Sequence, residues 1–469
     1  MAIQGPFLLC FLGLACLSAY TEGAKPSHSK PLNSTCFPNG FIFGAGSAAY
    51  QGDIKLMKRI GLDSFRFSIS WSRILITYFT LWAGIKPLVT LFHFDTSQAL
   101  EDEYGGILSP KIVKDYLDYV DFCFKTFGDQ RRMGKTRGVN FYHCTVGIWG
   151  GENFMRRCSI YVGNCTAGNS ATEPYIVAHN LLLAHGGAVK LYKDKYQPYQ
   201  HGKIGISIVT HWFVPKYQTS TNRKATYRVL DFFFGCKSKK MSLWIRNLHV
   251  IMFAHPVIYG DYPKSMKSSV GNRLPRFTEA QSKLLQGSLD FLGVNYYTTN
   301  YVESAPSSNG VNVSYVFDRR ATLTTNKDGT PIGTPVYILS CFCTALNWLF
   351  IYPKGLRELL LYIKENYNNP VIYITEDGMA DANNRSLPIK DALKDSLRIR
   401  YHYGHLSYLL KAIKEGVNVK GYYVWSFFDD FEWDAGYTVQ FGLIFVDFNN
   451  NLRRYLKYSA YLFKLFLLK

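Results

Sequence analysis

Short apolar runs rich in β-branched and aromatic residues alternate along this chain with longer stretches whose apolar positions recur every three to four residues. That alternation is the pattern of repeated strand–helix units around a parallel sheet. Strands are predicted at 41–51, 64–74, 86–95, 203–212, 289–302, 370–379 and 419–428. Helical patterns lie between or after them, as in PKIVKDYLDYVDFCFKTFG, EPYIVAHNLLLAHGGAVKLYKDKY, PKGLRELLLYIKENY and SLRIRYHYGHLSYLLKAIKEG. The pattern is one strand short of a closed eight-stranded barrel, and the widest gap without a clear element is 129–171.

In such a barrel the polar residues at the C-terminal ends of the strands point into one mouth. Here those ends read Tyr50-Gln51, His93-Phe94-Asp95, Asn295-Tyr296-Tyr297, Glu376, and Trp425 followed by Glu432-Trp433. Amides and carboxylates suit hydroxyl groups, indoles suit the flat faces of sugar rings, and Glu376 is a candidate nucleophile. Taken singly, each residue more often caps or bonds a loop than reads a ligand. That all five of these strand ends carry sugar-reading chemistry is harder to dismiss.

The 34 Tyr and 33 Phe fit either a pocket with stacking walls or a large aromatic core. A formal charge of +19 raises nucleic acid as a partner. Much of that charge lies on amphipathic helices and in two clusters, at 130–137 and 237–240, and no nucleic-acid-binding motif accompanies it, so a nucleic-acid partner is not expected. Residues 1–24 read as a signal peptide, with an apolar run from Phe7 to Leu17 but no Lys or Arg before it. No later segment has about 18 uninterrupted apolar residues, so a membrane span is not expected. The expected destination is the secretory pathway, extracellular or vacuolar. Among the ten cysteines, Cys158 and Cys165 lie close enough to bridge a tight turn. Sequons at Asn33, Asn164, Asn312 and Asn384 agree with secretion.

The segments YITEDGM, FGAGSAAYQ, FRFSISWSRI, LFHFD, GVNYYT and WSFFDDFEWDAGYTVQFGL resemble glycoside hydrolase family 1, in particular its plant β-glucosidases, over roughly four-fifths of the chain between 41 and 469. The resemblance implies a single-domain α/β protein, a (β/α)₈ TIM barrel over 25–469. It would act on a small-molecule β-glucoside and need neither metal nor organic cofactor. It makes Glu376 the nucleophile, with Arg66 as counter-ion and Tyr297 as hydrogen-bond donor, although Arg66 could instead be a structural ion pair. It assigns hydroxyl recognition to Gln51, His93, Glu432 and Trp433, stacking to Trp425 and support to Asn295.

The departures from the family are equally specific. Phe94 stands where the family has Trp, the loops after Gln51 and after SRIL are truncated, and 236–255 and 336–343 look inserted. After FGD at 127–129, where the fourth strand and the Asn-Glu-Pro motif with the acid/base should follow, the chain reads QRRMGKTRGVNFYHCTVGIWGGENFMR. The fourth strand is therefore doubtful and the acid/base expected to be absent. Glu152 is a weak substitute, and Glu173 reads as an ordinary helix start. Such breaks between good matches point to a mis-spliced or frame-shifted gene. Three readings follow: an impaired β-glucosidase, an inactive sugar-binding relic or non-folding product, and a transglucosidase or thioglucosidase-like enzyme that needs no acid.

Overall fold

A computed structural model describes residues 31–47, 54–72, 85–128, 157–163, 165–233, 253–306, 310, 313–338 and 346–468, with the backbone of 141–145 and 343–344. Eight parallel strands form its centre: β1 (Ile42–Ser47), β2 (Ser64–Ser68), β3 (Lys86–Phe92), β4 (Phe141–Thr145), β5 (Lys203–Pro215), β6 (Phe291–Ser304), β7 (Ile372–Asp377) and β8 (Val419–Trp425). Each pairs with the next in chain order, and β8 pairs with β1 from Ile42↔Gly421 to Gly46↔Trp425, which closes the barrel. Residues of β1, β2 and β7 are buried along their whole length, as expected of strands lined on one face by side chains of the interior and covered on the other by helices.

The doubtful fourth strand is thus corrected. The five residues FYHCT pair with β3 from Leu88↔Phe141 and with β5 from Phe141↔Lys203 to Thr145↔Ser207. Phe, Tyr and Thr favour strands, but a run this short and without alternation is specified mainly by the two strands on either side. The expectation of a barrel left open by seven strands does not hold.

The helices follow from their apolar stripes. In α1 (Ile112–Phe127), Ile112, Tyr116, Tyr119, Val120, Cys123 and Phe124 recur at helical spacing and are buried. Lys114 and Asp118 lie on its exposed side, paired at 2.6 Å. Further helices, α2 (Glu173–Leu191), α3 (Ser220–Phe233), α4 (Pro353–Asn366), α5 (Ser396–Lys414) and α6 (Tyr458–Leu467), complete the described outer layer together with shorter ones. Among the described residues no helix is long and apolar enough to cross a membrane.

Three features position the mouth. Strands β5 and β6 run on beyond the barrel, still paired from Trp212↔Thr299 to Pro215↔Val302, and Tyr301–Ser304 then pairs with the antiparallel strand Ala321–Thr324. The chain after β7 pairs with the loop after β8, Asp381–Ala382 against Val439–Gln440. Fully buried Arg398 of α5 ties both down, donating to the carbonyls of Met379 (2.7 Å) and Gln440 (3.0 Å) while pairing with Asp395 (3.1 Å) and Asp381. Elsewhere Cys158 and Cys165 form the expected disulfide, with a Cα–Cα separation of 5.4 Å. In the second stretch expected to be an insertion, Tyr337–Ile338 pairs with Cys343–Thr344 as a short antiparallel ladder.

Candidate active site

The mouth holds a cleft of about 390 Å³, measured to its open edge, lined by His93, Phe94, Val209, Asn295, Tyr297, Trp348, Glu376, Trp425, Glu432, Trp433 and Phe441. Glu376 lies near the end of β7, 5 % exposed. Arg66, from the buried strand β2, makes an ion pair through Nη1 with Glu376 Oε1, and the Tyr297 phenol of β6 donates to Oε2 at 2.5 Å. Both oxygens of the carboxylate are therefore engaged from two other strands. The guanidinium also lies 5.8 Å from the centre of the Trp425 ring.

Gly378 lets the chain turn away from β7 beside β8. A Cβ there would come within 1.7 Å of the Trp425 carbonyl oxygen, so only glycine fits. On β8, Trp425 Nε1 donates to Glu432 Oε2 at 3.2 Å. Burial of the Glu432 carboxyl, reinforced by neighbouring Asp430, pushes its pKa well above the ordinary carboxylate value. Asp430 itself accepts from Ser47 of β1 at 3.3 Å. The His93 ring lies 6.0 Å from Trp425 and 5.5 Å from Trp433. Burial, with Arg66 nearby, lowers its pKa to about 4 against the opposing pull of Glu376, so the ring is neutral near pH 7. Its enclosed Nδ1 has no protein partner. Asn295 of β6 accepts from Thr375 Oγ1 at 2.6 Å, while its buried Nδ2 has no partner. Free polar atoms on both residues line the cleft, where a hydroxyl-bearing ligand could satisfy them.

The expected residues thus converge: Arg66, His93, Asn295, Tyr297, Glu376, Trp425, Glu432 and Trp433 all lie in or against one cleft. Gln51 and Glu152 fall outside the described residues, as do the sequons at Asn164 and Asn312 and the segment 1–24. Glu173 opens α2 and pairs with Arg157 at 2.6 Å, the helix start expected of it. Reasoning from the sequence missed Trp348, Val209 and Phe441 as cleft walls. Trp348 lies five residues after the 336–343 stretch and could have been noticed as an aromatic preceding the helix α4. Val209 and Phe441 are apolar wall positions without a distinguishing chemical signature.

On the β4 side, Phe141–Thr145 contains no carboxylate. Among the described residues no cluster of three or more His, Cys, Asp or Glu side chains could hold a metal ion.

The glycosyl hydrolase family 1 profile matches residues 79–468, most of the chain. The chain belongs to glycosyl hydrolase family 1. This family 1 glycosidase is 44 % identical over 533 aligned positions to beta-glucosidase 12 of Oryza sativa subsp. indica, covering 100 % of this chain and 99 % of the relative. With beta-glucosidase 17 of Arabidopsis thaliana the identity is 43 %, covering 98 % and 97 %. Among solved structures it is similar to the rice Os3BGlu6 beta-glucosidase, with a TM-score of 0.82 at 36 % identity over 94 % of this chain and 100 % of that one. A mutant of that rice enzyme in a covalent complex with Glc matches equally well. Family membership makes the (β/α)₈ architecture and a β-glucosidase-like glycosidase function firm for this chain.

Proposed function

We propose that this family 1 glycosidase acts on β-linked glucosides by a retaining route, with Glu376 as nucleophile, and that its second carboxylate is lacking. The observation that carries the first part is the Glu376 carboxylate held between Arg66 and Tyr297 in a cleft with free hydroxyl-reading atoms on His93 and Asn295. Glu376 attacks the anomeric carbon as the aglycone leaves with its electron pair. Glu432, Trp433 and Gln51 join His93 in reading hydroxyls, Trp425 supplies a stacking face, and Asn295 supports β6. The observation behind the second part is the absence of an Asn-Glu-Pro motif after 127–129 and of any carboxylate in β4. Without a general acid, leaving groups that need a proton depart slowly. Without a general base, water breaks the glycosyl-enzyme slowly, whereas a small anion attacks unaided.

The mature chain, starting near Lys25, is proposed to enter the secretory pathway. This rests on the apolar run at 7–17 together with the disulfide, partly exposed Asn33 and exposed Asn384. The deciding experiment is incubation of the purified chain with dinitrophenyl β-glucoside and azide. Accelerated dinitrophenol release with β-glucosyl azide as product is expected. Glucose binding without either product would leave the chain a sugar-binding relic.

A further inference from the structure

Directly behind the nucleophile lies a second carboxyl with no cation beside it. Asp377, the last residue of β7, is fully buried. Its Oδ1 accepts from Tyr401 of α5 at 2.5 Å and its Oδ2 from Tyr422 of β8 at 2.8 Å. The Tyr401 hydroxyl has one proton and a second acceptor in reach, the backbone carbonyl of Tyr297 at 3.3 Å. Tyr297 is the residue whose phenol holds Glu376. When Asp377 is ionised, Tyr422 spends its proton on it, and His402 Nδ1, 2.9 Å away, then carries the hydrogen that joins the ring to Tyr422. His405 stacks on Tyr401 at 3.9 Å between ring centres. The remaining titratable neighbours are the buried phenol of Tyr296 on β6 and Glu376 itself. The nearby guanidiniums are engaged elsewhere, Arg66 by Glu376 and Arg398 by Asp381 and Asp395.

We propose that Asp377 is a positioning residue for the nucleophile, acting through Tyr401 and Tyr297, and that its protonation sets the charge behind the reacting centre. The inference rests on Glu376 being the nucleophile. Burial, only partly offset by the two phenol donors, raises the Asp377 pKa to about 8. Below that pH the carboxyl is neutral and competes weakly for the Tyr401 proton. Above it the anion takes that proton and adds a negative charge to a low-dielectric site, where it stabilises the positive charge developing at the anomeric carbon.

The test uses 2,4-dinitrophenyl 2-deoxy-2-fluoro-β-glucoside, because its leaving group needs no acid. A Glu376 oxygen bonds to C1, the C1–O bond breaks, and dinitrophenolate leaves with the electron pair. The first-order trapping constant and the half-saturating probe concentration are followed from pH 6 to 9.5 by mass spectrometry and absorbance. In the wild type the trapping constant should rise about three- to tenfold through one ionisation near pH 8, with half-saturation unchanged. Asp377→Asn should give a flat profile. Tyr422→Phe keeps the ring in place but removes one donor to the anion, so its rise should move to higher pH, and this variant carries the test if the first does not fold. Trapping with a flat wild-type profile, or a rise that survives in Asp377→Asn, overturns this inference alone. A wild type that is not trapped at any pH overturns the nucleophile reading and this inference with it.

Discussion

The two sides of the barrel mouth are built to different standards. Around β2, β6, β7 and β8 the buried carboxylates are held by donors from neighbouring elements: Arg66 of β2 and Tyr297 of β6 on Glu376, Tyr401 of α5 and Tyr422 of β8 on Asp377, the Trp425 indole on Glu432. Around β3, β4 and β5 the described wall is made by His93, Phe94 and Val209, none of them a carboxylate, beside a strand that ends in Thr145. On the proposed reading the scaffold keeps the nucleophile while closing its sheet with a strand that carries no carboxylate. Closure needs backbone pairing, whereas catalysis needs particular side chains.

The strongest way to break this contrast is Glu376→Gln, expected to abolish covalent trapping and dinitrophenol release altogether, as read by intact-protein mass and absorbance. Next comes the leaving group. If the β3–β5 side supplies no acid, the wild type should turn over cellobiose about 10² to 10⁴ times more slowly than an enzyme possessing one. Efficient cellobiose hydrolysis would show that Glu152 or another carboxylate fills the role.

Arg66→Met leaves Glu376 buried without its counter-ion and should cost about 3–5 kcal/mol in a denaturant titration. A loss below about 1 kcal/mol would mean that water reaches the pair. Asp377 supplies a pH test of the well-supported side. Its folded-state pKa of about 8 lies above the ordinary 3.8, so its folded form holds a proton that its unfolded form has released across that range. The stabilisation is complete below pH 3.8 and is lost as the pH rises toward 8. The melting temperature of Asp377→Asn should therefore gain on the wild type between pH 4 and 8, and parallel curves would refute the buried titration. The smallest effect belongs to the disulfide, away from the cleft. Cys158→Ser should cost about 2.5 kcal/mol from the short loop it closes and leave trapping unchanged.

Much of this was legible in the sequence because the residues concerned have chemical character. Glu376, Tyr297, His93, Asn295, Trp425, Glu432 and Trp433 belong to the strand ends read from the sequence and meet in one cleft, whereas Arg66, in the middle of β2, was named only through the family resemblance. Seven strands were legible from their apolar runs. Strand β4 was not, because FYHCT has little pattern of its own and owes its place to Leu88–Phe92 and Lys203–Ser207 on either side. The contribution of Asp377 was hidden for another reason. Its partners come from α5 and β8, 24 and 45 residues further along the chain, a proximity that only the folded topology creates.

The continuation of β5 and β6 past the barrel has a mechanical consequence. A ladder that stays paired from Gly205↔Phe291 to Pro215↔Val302, and is then backed by Ala321–Thr324, cannot bend outward without breaking several inter-strand hydrogen bonds at about 1 kcal/mol each. That wall is therefore stiff. The backbone amides of Trp212–Val214 should be among the slowest in the mouth to exchange with solvent.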